Sequence, residues 1–226
     1  MEWLGVGVAG GCVGVAAAVS AYHLPRTLYQ TWHEEAAAWV SSSLSLPETS
    51  GSRWELLAIS GGSVAGALVS WSFFAEWWVA LSYYVAFVVL LMLAVIDLRT
   101  HLLPDVLTLP LLWGGLLFHA AYEPWGLDMA VLGAALGYVV LWLPSAGARW
   151  CIGQALMGQG DAKLFAALGA WLGLAALPGV FIVAALGFVV TSGALMVLGR
   201  LARGTALPFG PWLALGGIVQ GYLGFQ

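Results

Sequence analysis

Apolar runs of helix-forming length follow one another along almost the whole chain. A helix needs about 20 apolar residues to span the hydrocarbon core of a bilayer, and the segment from Val79 to Ile96 comes close to that length without a single charge. In lipid the backbone must satisfy its own hydrogen bonds, so an open sheet is excluded. We therefore predict an all-α, polytopic membrane protein with about eight transmembrane helices.

The predicted helices cover eight segments separated by short polar connections. They are 3–22, 55–71, 77–98, 106–121, 127–144, 161–176, 178–199 and 208–224. We predict two parts: residues 1–54, a first transmembrane helix with a short cytoplasmic loop, and residues 55–226, a transmembrane domain. Within the loop, residues 27–44 are predicted to form a helix on the membrane surface. A histidine at 33 lacks the second histidine that a helical zinc site needs.

The charge content limits the partners. Only 8% of the residues are charged and the net charge is -4, so no basic patch is available for nucleic acid. We expect the lipid bilayer to be the main environment, with the oligomeric state left open.

All seven basic residues fall in odd-numbered loops of the predicted topology. They are Arg26, Arg53, Arg99, Arg149, Lys163, Arg200 and Arg203. Because cytoplasmic loops hold Lys and Arg, we predict that these loops face the cytoplasm and that both termini lie outside.

Three acids deserve a functional explanation, because a carboxylate at membrane depth costs about 2.5 to 3.5 kcal/mol. Asp97 ends a long apolar run, and Asp105 follows Pro104, where it is predicted to cap the next helix. Asp161 lies in the stretch MGQGDAKLF, residues 157–165. All three map to cytoplasmic helix ends, so they can converge on one side of the membrane.

The two glycines before Asp161 leave the backbone open to a ligand. Gly158 and Gly160 carry no side chain that would obstruct an extended substrate. Asp161 falls in the first helical turn, where the dipole favours an ionised carboxylate, and Lys163 is expected to reach the lipid headgroups. Two close carboxyl groups that share one proton can catalyse the hydrolysis of a peptide bond by water, as in aspartyl proteases. For the pair Asp97 and Asp161, we assign Asp161 as the base that activates the water.

Two other classes of protein fit the same residues. A proton- or cation-coupled transporter could use Asp97, Asp105 and Asp161 as its path, although transport predicts acids spread across the membrane depth. A non-catalytic assembly subunit is the third interpretation, for which one of the aspartates would be expected to be missing.

Three blocks in order resemble the type IV prepilin peptidases, bacterial inner-membrane aspartyl proteases. The blocks are IDLRTHLLPDVLTLPLLWGGL at 96–116, GQGDAKLFAALGAWLG at 158–173 and LPFGPWLALGG at 207–217. The resemblance implies an intramembrane aspartyl protease fold across residues 55–226, with Asp97 and Asp161 as the catalytic pair. It also implies cleavage of the short basic leader of type IV prepilins or type II secretion pseudopilins at the cytoplasmic face.

The remaining site predictions concern support and cofactors. We place Gly158, Gly160, Lys163 and Asp105 among the supporting or substrate-binding residues, and expect Pro208 and Gly210 to pack close to the site. Family members that also methylate the new N-terminus use S-adenosylmethionine and typically carry two zinc-binding Cys-x-x-Cys pairs. This chain has only Cys12 and Cys151, so we predict no zinc and doubt the methylation, while proteolysis needs no cofactor.

Overall fold

The computed structural model describes residues 6, 9–20, 53–153, 157–199 and 207–224. The chain divides into two compact units, residues 1–100 and 101–226, which are treated separately below. The predicted surface helix at 27–44 lies outside the described residues. The predicted boundary at residue 54 stays a prediction.

Eight α-helices account for nearly all of the described residues. They are α1 Ala9–Ser20, α2 Arg53–Phe73, α3 Trp77–Thr100, α4 Asp105–Tyr122, α5 Leu127–Ile152, α6 Gln159–Leu172, α7 Leu177–Val197 and α8 Gly210–Leu223. Short 3-10 turns precede α5 and α7. No strand occurs in the described part of the chain, so the all-α prediction is confirmed there.

Three stretches of the described chain are long and apolar enough to cross a bilayer. They are Trp77–Thr100, Pro124–Cys151 and Leu174–Val197, while Ala9–Ser20 is apolar but shorter. These lengths fit a helical membrane protein. The predicted orientation of the helices stays a prediction.

Small residues let the helices of the first unit approach closely. A methyl group added at Gly10 would lie 2.8 Å from Cβ of Ala67, and one at Gly14 would lie 2.6 Å from Cβ of Ser63. The Ser63 hydroxyl donates to the carbonyl oxygen of Gly10 at 2.7 Å and lies 2.6 Å from the Tyr84 hydroxyl. The Gly10 and Gly14 pair therefore serves helix packing, as the small-xxx-small spacing predicts.

In the second unit α5 and α6 run antiparallel with their backbones almost in contact. A methyl group at Gly133 would meet the carbonyl oxygen of Gly169 at 2.5 Å, and one at Gly137 would meet that of Phe165 at 3.0 Å. At the other side of α6, the Trp171 indole donates to the carbonyl oxygen of Leu111 in α4 at 2.7 Å. The helix that begins with the Gly-x-Gly-Asp stretch is thus held between two neighbours.

Two predicted helix ends are wrong. The fifth helix continues to Ile152 instead of ending at 144, with Pro144 inside it. Proline is tolerated within helices of this kind because neighbouring groups can satisfy the freed carbonyl. The sixth ends at Leu172, because Gly173 adopts φ 74 and ψ 171, a positive-φ conformation that glycine tolerates and that stops the helix.

Candidate active site

Asp97 lies in the last turns of α3 and is almost fully buried. Its exposed fraction is 4%, and its neighbours Leu93 and Ile96 are at 0% and 2%. A carboxyl group shielded in this way is costly to ionise and is seldom kept without a function. Asp97 is thus a buried acid at the end of α3, and its catalytic role stays a prediction.

Asp161 lies in the first turn of α6, as the sequence predicts. The helix begins at Gln159, with Gly158 at the N-cap position in an extended conformation. The side chain of Asp161 is half-buried, and its position near the helix start favours the ionised form. Asp97 and Asp161 belong to different units, so their pairing stays a prediction.

Of the two glycines before Asp161, Gly160 has no room for a side chain, whereas Gly158 is exposed and would need only a small adjustment of the Asp161 carboxylate. A methyl group at Gly158 would lie 3.3 Å from Oδ2 of Asp161, and one at Gly160 would lie 2.8 Å from Cβ of Leu103. Leu103 belongs to the connection that leads into α4. Glycine at 160 therefore lets the start of α6 pack directly against this connection.

Asp105 and Lys163 form an ion pair that the sequence did not predict. Lys163 Nζ donates to both carboxylate oxygens of Asp105 at 2.7 Å. The expected capping role of Asp105 is wrong, because α4 begins at Asp105 itself, with Pro104 at the cap position and no side-chain cap bond. The ammonium group of Lys163 is held by this carboxylate, and its expected reach to the headgroups stays a prediction.

A serine that sequence reasoning missed holds the residue before Gly158. Ser145 of α5 is 8% exposed. Its hydroxyl donates to the carbonyl oxygen of Met157 at 2.9 Å and accepts from the Met157 N–H at 3.2 Å. Both backbone groups of Met157 are thereby satisfied by one side chain, which fixes the entry into α6. Nothing in the local sequence around position 145 signals this role.

The proline-rich block leads into α8. The helix begins at Gly210, two residues later than predicted, with Pro211 in its first turn. The Phe209 ring packs edge-on against Phe188 of α7 at 5.6 Å, and Gly210 is buried. The supporting role assigned to Pro208 and Gly210 stays a prediction.

No cluster of three or more His, Cys, Asp or Glu side chains suited to a metal occurs in the part of the chain that the structure describes. The free thiols of Cys12 and Cys151 are both exposed.

The apolar helices, together with a buried acid at the end of α3 and an acid at the start of α6, define an α-helical membrane protein with carboxyl groups at its helix ends. Comparison with known families narrows this class. Residues 84–193 match the type IV leader peptidase family, so this chain carries a domain of that family. Both Asp97 and Asp161 lie inside the matched region.

Known relatives agree with this assignment. Three proteins named "Prepilin leader peptidase/N-methyltransferase" were found in Dickeya chrysanthemi, Pectobacterium carotovorum subsp. carotovorum and Escherichia coli K12. They are 50%, 46% and 48% identical over 125, 166 and 145 residues. These alignments cover 55%, 72% and 64% of this chain and 44%, 53% and 63% of the relatives. The chain therefore spans about half the length of the curated relatives it matches. No solved structure matches it significantly.

Proposed function

We propose that this protein is a prepilin leader peptidase that removes the short basic leader of type IV prepilins or type II secretion pseudopilins. The observation that carries the proposal is the placement of two aspartates within the matched family region. Asp97 is buried at the end of α3, and Asp161 lies in the first turn of α6 directly after Gly160, which has no room for a side chain. The relatives' name supplies the substrate class.

The proposed mechanism uses the two carboxyl groups as an acid and a base. Ionised Asp161 removes a proton from water, whose oxygen attacks the scissile carbonyl carbon. Protonated Asp97 donates a hydrogen bond to the carbonyl oxygen, which stabilises the charge that develops there. The carbon–nitrogen bond then breaks, and the proton held by Asp161 passes to the leaving amine. The burial of Asp97 and the position of Asp161 in the first turn of α6 are the observations behind this assignment of roles.

We place the reaction at the cytoplasmic face of a bacterial inner membrane, with both termini periplasmic. Support comes from the basic residues, all of which fall in the odd-numbered loops of the predicted topology or at the helix ends beside them, and from the long apolar helices. Arg99 lies two residues after Asp97, and Lys163 lies two residues after Asp161. Because the basic residues are predicted to face the cytoplasm, we expect both acids to lie near the cytoplasmic face as well. The transporter alternative gains no support, since the relatives are named as peptidases.

We propose that the chain acts as a peptidase without methyl transfer. The relatives' name includes N-methyltransferase, a reaction that in this family draws on S-adenosylmethionine. This sequence has two cysteines, Cys12 and Cys151, and hence no Cys-x-x-Cys pair. The mass of the released N-terminus tests this point directly, because methylation adds the mass of one methylene.

The function is tested by co-expressing the chain with a prepilin in a host that lacks its own prepilin peptidase. Leader removal is followed by gel shift and by mass spectrometry of the new N-terminus. Asp97→Asn and Asp161→Asn are each expected to lower the cleavage rate by at least about a thousandfold, as expected when one member of a catalytic unit is removed. A normal rate in either variant would exclude that residue from catalysis.

The matched control is Asp128→Asn. Asp128 is also an acid in the first turn of a helix, but it is exposed and accepts a hydrogen bond from its own neighbour, Met129, at 2.8 Å. This variant should cleave at the normal rate. If it lost activity to the same extent, the losses at Asp97 and Asp161 would reflect general damage by acid removal.

A further inference from the structure

A cavity of about 390 Å³ opens between the end of α5 and the start of α6. Its lining includes Trp142, Arg149 and Trp150 from α5, and Gly158 and Gln159 from α6. Among the described residues that line it, Arg149 alone carries a formal charge. We call this space the mouth cavity. Its chemistry, a guanidinium group beside indole rings and a helix start, suits an anionic group at the membrane interface.

A second cavity of about 720 Å³ continues from it along the same helices. Its lining is apolar apart from Ser145 and includes Leu136 and Val140 of α5, Phe165 of α6 and Phe181 of α7. We call it the apolar groove. The two cavities share Ser145 and Met157, the pair joined by the hydrogen bonds described above. One end of the combined space is therefore cationic and the other is apolar.

Along α5, the apolar groove lies at the level expected for the hydrocarbon core, and the mouth cavity lies at the level expected for the headgroups. This helix has 26 residues and is therefore about 39 Å long, whereas the hydrocarbon core is about 30 Å thick. Its C-terminal end therefore has the length to reach the headgroup layer on the predicted cytoplasmic side. The groove follows α5 from Leu136 to Pro144, about 12 Å, and Arg149 lies about 7 Å further along the axis. Trp150, which is 91% exposed, is placed as interfacial tryptophans usually are.

We propose that the mouth cavity and the apolar groove together form a binding site for one anionic phospholipid. Arg149 pairs with the phosphate, the two tryptophans border the headgroup, and an acyl chain lies in the groove between α5 and α7. Charge complementarity selects an anionic over a zwitterionic headgroup, and the groove selects a lipid over a free anion. The site borders Gly158, so the bound lipid would line the entrance to α6. The proposal does not depend on proteolysis.

The test is native mass spectrometry of the full-length protein in detergent with added phosphatidylglycerol or phosphatidylethanolamine of equal chain length. One phosphatidylglycerol should be retained, with an affinity at least about fivefold above that of phosphatidylethanolamine, the preference expected from one basic residue near an anionic headgroup. Arg149→Gln should abolish this preference, and Arg149→Lys should largely keep it. Ala175→Trp, which narrows the groove from an exposed position, should lower the retention of both lipids.

The matched control is Arg53→Gln, which removes an equal charge at the start of α2 and should leave the preference unchanged. Equal binding of the two lipids by the unaltered protein would overturn the proposal, as would a preference that survives Arg149→Gln. Displacement of phosphatidylglycerol by inorganic phosphate at equal concentration would show a free-anion site and would also overturn it.

Retention unaffected by Ala175→Trp would exclude the groove as the acyl-chain site. Displacement of the lipid by an added prepilin would assign the groove to the substrate's apolar helix instead.

Discussion

Lys163 donates to both carboxylate oxygens of Asp105 at 2.7 Å, although the two residues lie 58 positions apart in sequence. The ion pair joins the first turn of α4 to the N-terminal part of α6. A lysine near a helix N-terminus is unfavourable, because the helix dipole is positive there. Asp105 offsets this charge and is itself favourably placed at the start of α4. The pair therefore fixes α4 against the turn of α6 that carries Asp161, and it explains why the stretch after Gly-x-Gly-Asp contains a lysine.

Loss of this ion pair should slow cleavage without abolishing it. Asp105→Asn and Lys163→Gln are each expected to lower the rate about two- to fivefold, since a partly exposed pair contributes only about 0.2 to 1 kcal/mol. The side chains are 52% and 28% exposed. The double variant should be no slower than the slower single variant, because both changes remove one interaction. Fully multiplicative losses in the cleavage assay would show that the two residues act separately.

Gly160→Ala is expected to reduce the cleavage rate at least about tenfold. The added methyl group would lie 2.8 Å from Cβ of Leu103, so the start of α6 must move, and small displacements of catalytic groups cost about 10²-fold. Gly147→Ala is the control, because its methyl group would meet no atom within 4 Å. That change should leave cleavage intact and stabilise α5 slightly. Equal rates for the two variants would contradict the proposed close approach.

Ser145→Ala tests whether the hydroxyl group positions the entry into α6. The change leaves the N–H and carbonyl groups of Met157 without their side-chain partner, which costs about 1 to 3 kcal/mol when such groups are buried. We expect kcat to fall several-fold, with little change in KM for the prepilin. Ser192→Ala is the matched control, since its hydroxyl group only bonds back to its own helix at Phe188. If both variants cleave normally, Ser145 has no positioning role.

Gly169→Ala should destabilise the second unit strongly. The methyl group would collide with the backbone of Gly133, which cannot move away without separating α5 from α6. We expect the midpoint of thermal unfolding in detergent to fall by several degrees, as overpacking typically costs about 1 to 3 kcal/mol. Gly193→Ala meets no atom within 4 Å and should not lower the midpoint. Similar midpoints for the two variants would show that the helices can readjust.

Much of the fold could be predicted from local patterns. Apolar runs predicted eight helices, and the Gly-x-Gly-Asp stretch predicted a helix start with Asp161 in its first turn, because both signals depend on neighbouring residues. The end of α5 was missed, since proline normally stops a helix in water, whereas Pro144 lies inside α5.

The sequence by itself determined the helical class and the position of Asp97, Asp105 and Asp161 near helix ends, and it suggested Asp97 and Asp161 as a candidate pair. The steric need for glycine at 160, the ion pair of Lys163 with Asp105 and the hold of Ser145 on Met157 were decided only by the tertiary structure. Each depends on groups brought together from different helices or from a connecting segment. Their distances follow from how α4, α5 and α6 pack, and no local pattern encodes that packing.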